Sequence, residues 1–220
     1  MLQRLGVTLL CALLAYLVLG VRGEDIHATV DPAAQRALNA VTTATFDLTH
    51  PATSFPADYQ QVMGYLPVVA TGPEGTPILI KPTGDCSAFA GETQYRFGWV
   101  CKEHDLAYDV LRYSAAVGRP LPARSRVQAD DMFRRELHNN CTFSSWSGLN
   151  YGICHFWAES FAVAVDINSW RQGYQPPRLR ESVAQWDAFV VLFLVLLLSR
   201  RQLETMSVNP DDILLEEGRM

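Results

Sequence analysis

The sequence has little net charge, no visible internal repeat and no convincing strand pattern. Its 18 Lys and Arg residues against 23 Asp and Glu leave a formal net charge of −5. The lack of a basic excess argues against a nucleic-acid-binding surface. The lack of alternating apolar and polar residues predicts an all-α fold, and the length leaves room for one modest domain with additional segments.

Charge is also missing from a stretch near the N-terminus. Leu5–Val21 reads LGVTLLCALLAYLVLGV and follows a single basic residue, Arg4. An uncharged apolar run behind a basic residue is typical of a secretory signal. We therefore expect residues 1–23 to be a signal peptide or an uncleaved signal anchor.

A second uncharged stretch lies near the C-terminus. Ala188–Ser199 reads AFVVLFLVLLLS, and as a helix it covers about 18 Å of a bilayer core that is roughly 30 Å thick. Extending it to residues 183–199 makes a span feasible, although it then includes Asp187. We predict a transmembrane helix there, a linker over 171–182 and a short cytoplasmic tail over 200–220. A buried C-terminal helix is the alternative.

Cysteine is scarce, but its placement is informative. Cys11 lies in the first apolar run, which leaves four in the middle of the chain: Cys86, Cys101, Cys141 and Cys154. An even set behind a signal-like start predicts two disulfides formed outside the cytoplasm. The positive-inside rule does not decide orientation, because arginine pairs flank the second apolar run on both sides. The cysteines therefore favour an extracytoplasmic domain that is membrane-anchored, or secreted if the second run is not a span.

Residues 24–83 form a predicted N-terminal extension that is partly helical. Asp31 followed by Pro32 is a good helix start, since Asp can cap the free N–H groups and Pro suits the first turn. A second short helix is expected over residues 57–64. Glycine and proline break residues 70–85, which are predicted to be mostly loop.

The middle of the chain has a helical period. Apolar and aromatic residues recur every three or four positions over residues 95–116 and again over 127–139, with a break rich in glycine and proline between them. Residues 141–154 are expected to form a loop bounded by two cysteines, and residues 155–170 a third helix. The result is a small helical core stapled by disulfides.

The segment VCKEHDLAYDVLRY places His104 and Asp105 side by side on the first of these helices. Adjacent helical residues point about 100° apart, so His104 can face the neighbouring helix while Asp105 turns toward the preceding loop. Asp130 on the neighbouring helix could then reach the imidazole. A carboxylate in that position fixes the tautomer and stabilises the imidazolium formed when histidine takes a proton from water.

The preceding loop, KPTGDCSAF, supplies a second carboxylate at Asp85. If the cysteines pair locally, a Cys86–Cys101 bridge ties this loop to the helix near Asp105. Two carboxylates together with loop carbonyls form the kind of oxygen-rich site that calcium prefers.

These motifs resemble the secreted phospholipase A2 family, in its small bacterial and fungal type. CKEHDLAYD, over Cys101–Asp109, is similar to the family's C-x-x-H-D-x-x-Y segment; GDCS, QADDMFRRELHNNC and the second cysteine pair also agree. The resemblance covers about 80 residues and implies a catalytic domain over 84–170 in a membrane-anchored form; the flanks do not match.

The resemblance implies a role for each matching residue. His104 would activate the attacking water, Asp130 would orient the imidazole of His104, and the Tyr108 hydroxyl would hold Asp130 in place. Asp85 and Asp105 would bind Ca²⁺, which would hold the phosphate and polarise the ester carbonyl. The implied substrate is a glycerophospholipid at a membrane, cleaved at its sn-2 ester. The sequence does not identify any protein partner.

The sequence departs from the family at the calcium loop. Asp85 directly precedes Cys86, whereas the family commonly has its aspartate two residues before the cysteine, and the spacing to His104 is about one residue shorter. A catalytically silent binding module on the same scaffold is therefore a second hypothesis. A third is a small membrane structural protein with a coincidental His–Asp pair, which predicts no close approach between His104 and Asp130.

Overall fold

The computed structural model describes residues 30–72, 75–86 and 94–178, which are mostly helical. Its elements are α1 (Pro32–Thr43), a 3₁₀ turn (Pro51–Ser54), α2 (Tyr59–Met63), β1 (Val68–Thr71), β2 (Pro77–Ile80), α3 (Gly98–Ala116), α4 (Ala123–Phe143) and α5 (Gly148–Arg171). In these ranges no helix has the length and apolarity needed to cross a bilayer. The predicted signal, transmembrane helix and tail lie outside the described residues.

Helix α1 begins where the sequence predicts. The Asp31 carboxylate accepts hydrogen bonds from the backbone N–H groups of Ala33 and Ala34, at 2.9 and 3.2 Å. The helix buries Leu38 and Val41 in a core shared with α3. This part of the N-terminal extension is therefore packed into the domain.

The prediction of loop over residues 70–85 is wrong in part. Strands β1 and β2, which lie partly within this stretch, pair as an antiparallel hairpin in which Val68 lies opposite Ile80. Gly75, between the strands, has a φ of 77°, which favours glycine. The strand forms because Leu79 is fully buried against the core, so packing stabilises a segment that its glycines and prolines would leave irregular.

The three central helices are confirmed, with different bounds. α4 starts at Ala123, because Pro122 is extended and occupies the N-cap position. α5 starts at Gly148, seven residues before the predicted start at 155, so most of the expected cysteine-bounded loop is helical.

Both disulfides are present. Cys86–Cys101 ties the segment after β2 to the first turn of α3, with a Cα–Cα distance of 5.2 Å. Cys141–Cys154 joins the end of α4 to α5 at 5.7 Å. All four cysteines are buried in one hydrophobic cluster with residues of α3, α4 and α5, and α4 packs against both of the other helices.

Candidate functional site

Helices α3 and α4 bring together three of the predicted site residues. His104 and Tyr108 lie one turn apart on α3, so both face Asp130 on α4. Their relative exposures are 6%, 7% and 4%, and the imidazole packs 4.4 Å from the ring of Phe133. The polar cluster is therefore largely shielded from water, which strengthens its electrostatic interactions.

The three side chains share one carboxylate oxygen. His104 Nε2 lies 3.2 Å from Asp130 Oδ1, and the Tyr108 hydroxyl donates to the same oxygen at 2.7 Å. An ionised carboxylate can only accept hydrogen bonds, so the neutral imidazole must carry its proton on Nε2. Nδ1 then has the free lone pair, and it has no hydrogen-bond partner among the described residues. The arrangement can accept a proton from water at Nδ1.

The network continues into α5. The Tyr108 hydroxyl lies 3.1 Å from Ser169 Oγ, which accepts a hydrogen bond from Arg126 Nε at 2.9 Å. The Arg126 guanidinium is 1% exposed and lies 5.0 Å from the centroid of the Tyr108 ring. Burial raises the pKa of Tyr108 above its ordinary value, so its hydroxyl remains a donor to Asp130.

Sequence reasoning missed Ser169 and Arg126. Arg126 lies four residues before Asp130, so helical spacing alone could have placed it on the same face of α4. Ser169 carries no such signal, because only the packing of α5 against α4 brings it to Tyr108.

Asp85 and Asp105 meet at the loop before α3. The backbone N–H of Asp85 donates to Asp105 Oδ2 at 3.1 Å, while the exposed Asp85 carboxylate accepts from the backbone N–H of Cys86 at 2.7 Å. Burial is the main cause that raises the pKa of Asp105. The loop therefore contacts α3 through the backbone of Asp85. The carboxylates of Asp85 and Asp105 belong to these two neighbouring segments, the loop and the helix.

Gly84 allows this close approach. A Cβ atom at Gly84 would lie 2.9 Å from Lys102 Cα and 3.1 Å from Asp105 Oδ2. A side chain there would push the loop away from α3, because the closest atom belongs to the helix backbone. The glycine therefore lets the loop backbone lie against α3 beside Asp105.

The donor chemistry fits calcium. Among the described residues no group of three or more His, Cys, Asp or Glu side chains is arranged to hold a metal ion. Calcium accepts a mixed set of carboxylates, backbone carbonyls and waters, so two carboxylates beside a loop are compatible with it. Asp85 and Asp105 are the residues that would hold the ion.

The predicted site residues thus fall into two groups: His104, Tyr108 and Asp130 in one network, and Asp85 and Asp105 at the adjoining loop. The 3.2 Å contact between His104 and Asp130 is the opposite of what a coincidental pair predicts. The catalytic and metal-binding roles stay predictions. When the chain is compared with protein-family models, curated proteins and solved structures, nothing matches it in any of the three.

Proposed function

We propose that this protein is a calcium-dependent, phospholipase A2-like hydrolase. It cleaves the sn-2 ester of a glycerophospholipid and gives a lysophospholipid and a fatty acid. The observation that carries the proposal is the shared oxygen of Asp130, which holds both the imidazole of His104 and the hydroxyl of Tyr108. That network leaves Nδ1 of a neutral imidazole as the base.

The reaction needs no covalent intermediate. His104 Nδ1 takes a proton from water as the water oxygen attacks the ester carbonyl carbon. The imidazolium is stabilised by Asp130 through Nε2–H, and Tyr108 keeps that carboxylate in place. When the ester C–O bond breaks, the imidazolium returns the proton to the departing lysophospholipid oxygen.

Asp85 and Asp105 would hold the calcium ion beside this base. When bound, the ion would neutralise the substrate phosphate and stabilise the oxyanion that develops on the ester. The chain's own contribution is positional, because Gly84 lets the loop lie against α3 and the Cys86–Cys101 bridge fixes it there. Asp105 follows His104 directly, so the base and the metal ligand belong to the same helical turn.

We place the domain outside the cytoplasm, anchored to a membrane by residues 183–199. The two disulfides support an oxidising compartment, because such bridges persist mainly in secreted and extracytoplasmic proteins. An anchor would keep the site near its lipid substrate.

Hydrolysis by the full-length protein tests the proposal. The substrate is a glycerophospholipid with a labelled sn-2 chain in mixed micelles, with calcium or with a calcium chelator. We expect release of the labelled fatty acid with calcium, its loss with chelator, and its recovery when calcium is restored. Release that is unaffected by the chelator would contradict the calcium requirement.

A catalytically silent binding module is the second candidate. It is favoured by the orientation of Asp85, whose carboxylate accepts from Cys86 N–H while its backbone faces Asp105. Calorimetry with calcium separates the two. The enzyme requires calcium binding that is weakened by Asp85→Asn and by Asp105→Asn, whereas a silent module whose loop has lost the metal gives no such binding.

A further inference from the structure

A cavity separate from the His104 network lies where α1 and the hairpin meet α3 and α4. Its volume is about 470 Å³. Its walls include apolar side chains from Val41, Ile78 and Phe143, and polar ones from Arg135 and Glu136. A space of this size with a mixed lining suits a small organic ligand.

The carboxyl group of Glu103 lines this cavity and lacks a partner. Glu103 is 2% exposed, and its Oε2 atom is buried with no hydrogen bond among the described residues. A buried acid without a partner destabilises the fold, so a ligand that satisfied it would be favoured.

The charged residues beside Glu103, Arg135 and Glu136, already form an ion pair with each other. Arg135 Nε donates to Glu136 Oε1 at 2.9 Å, and Arg135 Nη2 donates to the carbonyl oxygen of Thr42 at 2.8 Å. The Arg135 charge is therefore offset by Glu136, and Arg135 makes no hydrogen bond or ion pair with Glu103 among the described residues. If Glu103 ionises, the cavity has an excess of one negative charge.

We propose that this cavity binds a primary ammonium group on a short alkyl chain. The ammonium would form a charge-assisted hydrogen bond with the carboxylate of Glu103. The alkyl chain would lie against Val41, Ile78 and Phe143. The group could belong to a free amine or to the ethanolamine headgroup of a phospholipid, since both present the same ammonium chemistry.

Calorimetry on the full-length protein in detergent micelles tests this binding without any hydrolysis. The probes are n-butylamine and its neutral isostere 1-butanol, in MOPS buffer, which has no primary amine. We expect the amine to bind at least about tenfold more tightly than the alcohol, as one charge-assisted hydrogen bond provides.

The variant Glu103→Gln should remove the preference for the amine. Glu159→Gln, at an exposed position on α5, is the control and should leave that preference unchanged. Thermal stabilisation of the wild-type protein by the amine but not by the alcohol is a second measurement that needs no variant. Binding of glycerophosphoethanolamine would identify the headgroup as the source, and binding of n-butylamine alone would identify a free amine.

Three results would overturn the proposal. They are equal affinity for amine and alcohol, an amine preference that survives Glu103→Gln, and no binding of either probe.

Discussion

Replacing Asp130 with asparagine removes one charge from the centre of the proposed site and changes its shape little. The asparagine amide oxygen can still accept from His104 Nε2–H and from the Tyr108 hydroxyl, which lie 3.2 and 2.7 Å from Asp130 Oδ1. The lost interaction is the one between the carboxylate and the imidazolium, which exists only after His104 has taken its proton. The variant should therefore lower kcat more than it raises KM.

The size of the effect follows from the geometry. Unit charges about 4 Å apart attract by about 4 kcal/mol at an effective dielectric constant of about 20, which corresponds to roughly a thousandfold in rate. The retained hydrogen bonds recover part of this. We expect kcat to fall by about 10²- to 10³-fold, within the range that general base catalysis contributes.

The assay is the initial rate of sn-2 fatty acid release at saturating calcium. Asp131→Asn is the matched control, because Asp131 is the adjacent residue on α4, carries the same charge and is exposed. It should alter the rate by less than about twofold, since surface substitutions have small effects. A less than threefold loss in Asp130→Asn, or equal losses in both variants, would refute the reasoning.

Three further outcomes are expected. Tyr108→Phe removes the hydroxyl that donates to the shared carboxylate, so the free energy of unfolding in urea should fall by about 2 kcal/mol and hydrolysis by about tenfold; unchanged values would contradict this role. Gly84→Ala places a methyl group against Lys102 Cα and should lower calcium affinity and the rate of hydrolysis by about tenfold or more. In the control Gly152→Ala, the added methyl group meets no other side chain or distant backbone atom within 4 Å, so neither quantity should fall. Burial raises the pKa of Glu103, so the stability contributed by its neutral form is full below pH 4.5 and is lost as the pH rises through the raised value. Glu103→Gln should therefore raise the melting temperature at pH 8 and leave it unchanged at pH 4. Equal changes in melting temperature at both pH values would contradict this.

The helical part of the fold could be predicted because its signals are local. Asp31 and Pro32 mark the start of α1 by capping chemistry, and the His104–Tyr108 spacing places both residues on one face whatever surrounds the helix. The approach of Asp130 to His104 follows when this face of α3 packs against the face of α4 that carries Asp130. The cysteine count predicts two bridges, and the structure confirms both.

The remaining features depend on contacts between distant segments. The hairpin forms because Leu79 is buried in the core, and the sequence around it contains glycine and proline that suggest a loop. Ser169 reaches Tyr108 only because α5 packs against α4. Nothing in the sequence distinguishes Glu103 from a solvent-exposed helical glutamate, because its burial depends on α1 and the hairpin. The loop at Asp85 is a similar case, because its backbone faces Asp105 in a way that residue spacing does not reveal.

The central claim is that the imidazole of His104 activates water for sn-2 ester hydrolysis. The most direct measurement compares the full-length wild-type protein with His104→Ala on a phospholipid labelled in its sn-2 chain, with calcium present. The account predicts labelled fatty acid from the wild type and a rate lower by about 10²-fold or more in the variant. Equal rates, or no release from the wild type, would contradict it.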